Sequence, residues 1–177
     1  MAPSAVSMTP PEGVKTAELT AAAVSQKINQ TGLQPLDASK LKFTRTTTPM
    51  TVPEPDDPII ATSSQCTDHM ITAVWKSSTG WEDPELRPYG NLSLAPTASV
   101  LHYATECFEG MKMYRGYDGK LRLFRPDCNC SRMLISATRI ALPAFDPKEL
   151  EKLVMSMIAV DGPKYVSRVT LHSDLVG

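Results

Sequence analysis

Apolar residues recur at Leu150, Leu153, Val154, Met157 and Ile158, the i, i+3, i+4, i+7, i+8 stripe of a helix with one face on a core. Asp146 precedes the stripe as an N-cap, Pro147 takes the first helical position, and Glu149 stands three residues after the cap, as in a capping box. Gly162-Pro163 predicts the end of that helix. A second stripe, Cys130, Met133, Leu134, Ala137 and Ile140, predicts a helix opened by Arg125-Pro126 and running to about Ala141. Between residues 111 and 124 the pattern changes. Two short runs, 111–115 and 120–124, flank Gly116-Tyr117-Asp118-Gly119, and Asp-Gly between such runs predicts a hairpin. Residues 70–75 have the β-branched and aromatic content of a strand, and 80–84 read as loop. A short helix is expected from Ser99 to Cys107, stopping at Gly110. Trp75 and Trp81 are expected in the core.

Upstream the pattern weakens. Residues 1–13 are Ala, Pro, Ser and Thr in the main, too poor in apolar area to hold a structure. Residues 14–30 carry a faint amphipathic stripe of Leu19, Ala22, Ala23 and Val24. Residues 45–58 contain four prolines, each fixing φ and lacking a donor, and predict an extended connector. The expected organisation is therefore a flexible extension and connector over 1–58, a folded domain over 59–166 from near Ile59, and a divergent tail over 167–177. Strand, hairpin and helices together imply an α+β sandwich.

Composition narrows the function classes. The chain has 177 residues, 42% of them hydrophobic, and a formal net charge of −1, so nothing in its charge favours a nucleic-acid partner or an anionic membrane surface. No apolar run approaches the ~20 residues of a membrane-spanning helix. Cys66, Cys107, Cys128 and Cys130 are expected as reduced thiols; Cys128-x-Cys130 lacks the further ligands of a tetrahedral metal site. The N-terminus has neither a charged region followed by an apolar core nor an Arg-rich, acid-poor composition, which favours the cytoplasm over secretion or a mitochondrion. His69, His102 and His172 come with no nucleophile-elbow motif.

Several strings point further. Thr67-Asp68-His69-Met70 precedes the strand; Leu101-His102-Tyr103, Phe108-Glu109-Gly110-Met111-Lys112, Leu123-Phe124-Arg125-Pro126, Asn129, Arg132-Met133, Leu142-Pro143 and Phe145 follow in order. In sequence and spacing they resemble the branched-chain amino-acid aminotransferases, over roughly residues 57–166. The Phe-Glu-Gly-Met-Lys string is closer to these than to D-amino-acid transaminases or aminodeoxychorismate lyases.

The resemblance implies the small N-terminal α/β sandwich domain of a fold-type IV enzyme, dependent on pyridoxal phosphate, that exchanges amino groups between leucine, isoleucine or valine and 2-oxoglutarate. It assigns Arg132 to the cofactor phosphate, a task suited to a planar, permanently charged guanidinium. It assigns Phe108 to the wall of the substrate side-chain pocket and Tyr103 to a contact reaching into a partner subunit's pocket, and so implies a homodimer. Lys112 is expected as a strand residue rather than the Schiff-base lysine. That lysine, and the acidic partner of the pyridine nitrogen, belong in the family to a larger C-terminal cofactor domain downstream of residue 177, so the chain is expected to be inactive by itself. The tail from Ser167 departs from the family's Tyr-x-Arg-Pro strand and is read as a retained intron, frameshift or alternative exon. The rival expectation is a non-catalytic interaction domain that pairs with a full-length subunit.

Overall fold

The structure is a computed structural model and describes residues 32–54, 56–62 and 64–165. The weak amphipathic segment at 14–30 and the tail at 167–177 lie outside the described residues. In chain order the elements are β1 (Lys42–Phe43), β2 (His69–Thr72), β3 (Trp75–Lys76), β4 (Gly80–Trp81), β5 (Glu85–Pro88), α1 (Ser99–Tyr103), β6 (Met113–Arg115), β7 (Leu121–Leu123), α2 (Pro126–Arg139) and α3 (Pro147–Tyr165). β5 is the middle of a three-stranded sheet, parallel to β1 and antiparallel to β2, while β3–β4 and β6–β7 are two-stranded hairpins. The α+β class is as expected.

Helices α2 and α3 pack on each other and bury Leu134, Ala137 and Leu153 with Phe145 and Leu36. Leu36 corrects the expected domain organisation, because it lies within the stretch read as a flexible extension. Its neighbour Gln34 exchanges backbone hydrogen bonds with Thr79 and Trp81, both at 2.9 Å, and β1 pairs with β5. Gly80 makes this possible: its φ is +88°, and a Cβ there would stand 2.4 Å from the Gln34 carbonyl oxygen. So 80–84 is not simply loop, and part of the segment before Ile59 belongs to the body.

The strand expected over 70–75 divides in two. β2 stays on β5, whereas β3 turns away to pair with β4. Trp75 is thereby 36% exposed instead of in the core. Trp81 does pack against the core, its Nε1–H donating to the Ala144 carbonyl at 3.0 Å and its ring meeting Phe145 edge-on at 6.2 Å.

Helix α1 is shorter than expected. Ala104 takes the left-handed conformation, φ 48°, and ends it one residue after Tyr103. Helix α2 follows its expected stripe, with Cys130, Leu134 and Ala137 buried, although Ile140 falls past the last turn and is exposed. Asp146 caps α3 as expected, accepting the Lys148 N–H at 2.9 Å. Glu149 does not face back to the cap: its carboxylate accepts the Ala38 N–H at 2.7 Å, another tie to the segment before residue 59.

The expected stop at Gly162-Pro163 is also corrected, since α3 continues to Tyr165. Gly162 is there for close approach, as a Cβ would meet Leu121 Cδ1 at 3.0 Å and Met113 Cε at 3.1 Å on the hairpin. Pro163 forgoes one helical hydrogen bond, but the turn after it is anchored by Lys164 and Tyr165 on Asp68. Val154, Met157 and Ile158 are only half-buried and line an open apolar groove of about 420 Å³ with Leu36, Trp81 and Phe145.

Candidate functional site

From Thr105 to Arg115 the burial alternates residue by residue, the period of an extended chain. Cys107, Glu109, Met111 and Met113 face the body; Phe108, Lys112 and Tyr114 face outward. The run lies along α2, where Cys107 Sγ meets Met133 Sδ at 3.9 Å. On the helix, Asn129, Arg132 and Met133 are spaced i, i+3, i+4 and share one side. Two periodicities, two and 3.6, thus meet at one edge.

Glu109 is the centre of that edge. Its Oε2 accepts from Arg132 Nε and its Oε1 from Arg132 Nη2, both at 2.5 Å. The same Oε1 accepts the Gly110 N–H at 2.8 Å and Asn129 Nδ2 at 3.0 Å. Asn129 Nδ2 also donates to the Gly110 carbonyl at 2.9 Å, so the extended run is fastened to the helix at two points. The Arg132 hydrogen bonds above all, then those of Asn129 and Gly110, outweigh desolvation and hold the Glu109 carboxyl down to about 2. The same pairing raises the Arg132 guanidinium above its ordinary value. The Glu109 side chain is 11% exposed and that of Arg132 66%. The result is a fixed, outward-facing guanidinium with Nη1 outside the fork.

Of the residues singled out by sequence, Arg132 has a defined setting and the other two face solvent. Phe108 is 91% exposed and Tyr103 on α1 is 79% exposed. Among the described residues no hydrogen bond or ring contact joins either to Arg132. Phe108 is nonetheless next in sequence to Glu109. Beside them a shallow depression of about 640 Å³ is walled by Gly110, Lys112, Tyr114, Arg122, Phe124 and Asn129. Lys112 lies just before β6 on the outward face, so it is not within a strand as expected. Sequence reasoning gave Glu109 no role and quoted Asn129 without one. The signal was present: a carboxylate inside the Phe-Glu-Gly string and a helical i, i+3 pair.

A second polar cluster holds the Thr67-Asp68-His69-Met70 string. His69 is buried and its Nδ1 lies 2.8 Å from Asp161 Oδ1, while Asp161 Oδ2 accepts the His69 backbone N–H at 2.9 Å. Thr46 donates its N–H to His69 Nε2 at 3.0 Å, which fixes Nδ1 as the nitrogen that donates to Asp161 in the neutral ring. Asp68 accepts from Lys164 Nζ at 2.5 Å, the Met50 N–H at 2.6 Å and Tyr165 Oη at 2.8 Å. Burial pushes its carboxyl up, but the donors, led by Lys164, outweigh that and bring it to about 2. The cluster ties the proline-rich connector, β2 and the end of α3 together. It has every partner it needs within itself, which makes it a brace.

Burial pushes the Cys130 thiol up to about 11. Cys128, at the exposed start of α2, lies 3.3 Å from Arg125 Nη2.

An α+β unit that presents a carboxylate-braced arginine beside an exposed aromatic finds its relatives among transferases, in particular aminotransferases. The chain is a homologue of the branched-chain-amino-acid aminotransferases. It is 53% identical over 129 residues to the cytosolic one of Saccharomyces cerevisiae, which covers 73% of this chain and 34% of that protein. The cytosolic one of Mus musculus is 50% identical over 116 residues, 64% of this chain and 30% of that protein. The mitochondrial one of Saccharomyces cerevisiae is 49% identical over 127 residues, 72% and 32% respectively. The chain spans about a third of the length of the curated relatives it matches. No protein-family model matches it.

Proposed function

We propose that this chain is the small fold-type IV domain of a pyridoxal-phosphate-dependent enzyme that moves an amino group between leucine, isoleucine or valine and 2-oxoglutarate. The observation that carries the proposal is Arg132, held outward by Glu109 beside Phe108. Its donor chemistry fits the cofactor: a phosphate dianion takes hydrogen bonds from a guanidinium whose plane is already set. Pyridoxal phosphate, when bound, supplies an electron sink for the substrate carbon that carries the amino group.

The chain's own residues bind and shield. Arg132 holds the phosphate. Phe108 supplies apolar area against a branched aliphatic side chain and keeps water from it. Tyr103, exposed on α1, reaches into the pocket of a second copy, so the working form is a homodimer. The domain comprises residues 59–166 together with the strand-forming segment at 33–44. The cytoplasm is its proposed compartment; the relatives include proteins named cytosolic and mitochondrial, and among the described residues no helix is long and apolar enough to cross a membrane.

A second reading is favoured by the exposure of Phe108, Tyr103, Tyr117 and Phe124: a non-catalytic domain that docks on a longer homologous subunit. Purification of the native-length protein separates the two. Leucine-dependent conversion of 2-oxoglutarate to glutamate, with pyridoxal phosphate bound, supports the enzyme. A protein of this length found only in complex with a longer homologue, and without turnover of its own, supports the docking domain and overturns the first reading.

A further inference from the structure

Resting on the assignment of Arg132 to the cofactor phosphate, we propose that Glu109 and Asn129 are positioning residues that orient the Arg132 guanidinium for that phosphate. An arginine on an exposed helix face samples many rotamers, and an anion that binds it must first stop that motion. Here the motion is stopped in advance. Glu109 presents both oxygens to the Nε–Nη2 edge at 2.5 Å. The carboxylate is itself fixed by the Gly110 N–H at 2.8 Å and Asn129 Nδ2 at 3.0 Å. Asn129 stands one turn before Arg132 on α2 and also grips the Gly110 carbonyl at 2.9 Å, so helix and extended run share one hydrogen-bonded frame. Nη1 is left outside the fork, on a side chain that is mostly exposed.

The arrangement has an electrostatic cost. A carboxylate beside the guanidinium cancels its formal charge and weakens attraction for an incoming dianion. If attraction governs affinity, removing the Glu109 charge tightens phosphate binding; if orientation governs it, removal loosens binding. The four short contacts to one half-buried carboxylate favour orientation.

The experiment uses the apo form of the native-length protein and compares pyridoxal phosphate with pyridoxal, which lacks the phosphate, by equilibrium binding. Glu109→Gln removes one half of the fork and its charge while keeping the side-chain shape. The expected result is an increase of about tenfold in the Kd for pyridoxal phosphate, by analogy with the loss of an outer partner of a metal-binding side chain, with the Kd for pyridoxal unchanged. Asn129→Ala gives a smaller increase of the same kind, and remains informative if Glu109→Gln fails to fold. The Arg132 Nε–Hε NMR resonance, shifted in the parent by the carboxylate, moves towards the free-arginine position in both variants. Unchanged or tighter pyridoxal phosphate binding in both, or an equal loss for pyridoxal, overturns the proposal. Arg132→Ala separates the layers. If it abolishes the preference for the phosphorylated ligand while the other two variants do nothing, positioning fails and the assignment of Arg132 stands. If it too does nothing, the assignment fails and positioning with it.

Discussion

Asp68 and Glu109 are alike in chemistry and opposite in use. Each carboxylate collects donors from a basic side chain and a backbone N–H, and each is held at about 2. Around Asp68 the partners close on one another: Lys164, Tyr165 and the Met50 backbone all end at the carboxylate, and the adjoining His69–Asp161 pair is buried. Around Glu109 the chain of contacts ends on a guanidinium that faces out. A polar network that satisfies itself inside the protein acts as a brace, whereas the one around Glu109 leaves a charged donor open to solvent. Both networks sit in strings of the same family resemblance, so resemblance alone did not say which was which.

Breaking the brace is expected to have the largest effect. Asp161→Ala removes the acceptors of two buried His69 donors, the backbone N–H and Nδ1; a loss of about 3 kcal/mol is expected, the scale of orphaning a buried hydrogen-bonded pair. Urea unfolding checks it, and a loss below about 1 kcal/mol, the worth of one ordinary hydrogen bond, would show that water replaces the carboxylate.

Next is the approach of Gly80 to Gln34. Gly80→Ala places a Cβ against backbone at a φ of +88°, and strain at such a position costs on the order of 2 kcal/mol. Native-state hydrogen exchange at the Gln34 and Trp81 amides should speed up before that of α3. Uniform protection would mean that the segment before residue 59 is not separately fastened.

The Asp68 contribution depends on pH. Its folded value lies below its ordinary value of 3.8, so the stability it adds is fully present above that value and is lost as pH falls from there through about 2. Lys164→Met should shrink that acid-dependent loss, read as the difference in unfolding midpoint between pH 5 and pH 2.5. Retention of the full loss would place the acid sensitivity elsewhere.

The smallest structural effect is expected at the outward face. Phe108→Ala removes a side chain with almost no buried area, and its stability should stay within about 0.5 kcal/mol of the parent. Under the proposed function the same change lowers kcat/KM for leucine more than for alanine, because the lost wall served a branched side chain. A drop in stability above 1 kcal/mol would show instead that Phe108 belongs to the core.

Periodicity made α2, α3 and the β6–β7 hairpin legible from sequence, because helix stripes, a capping Asp and an Asp-Gly turn act over a few residues. The misreadings share one cause. Trp75 is apolar but leaves the sheet with β3. Gly162-Pro163 looks like a terminator but is held in the helix by Lys164, Tyr165 and the passing hairpin. Residues 33–44 look like extension but fit under Gly80. Each outcome depends on contacts between segments far apart in the chain, which no local pattern carries.

The candidate site divides along the same line. By itself the sequence determined Arg132 with Asn129 one turn before it on a predicted helix, because side-chain direction follows from backbone period; the extended run that puts Phe108 and Glu109 on opposite faces was read as the end of a helix. Only the tertiary structure decided that Glu109, rather than solvent, meets Arg132 and that Asp68 and His69 form a brace closed by α3. Which charges meet is fixed by the packing of α2 against the extended run and of α3 against β2, and burial then sets what each pair does.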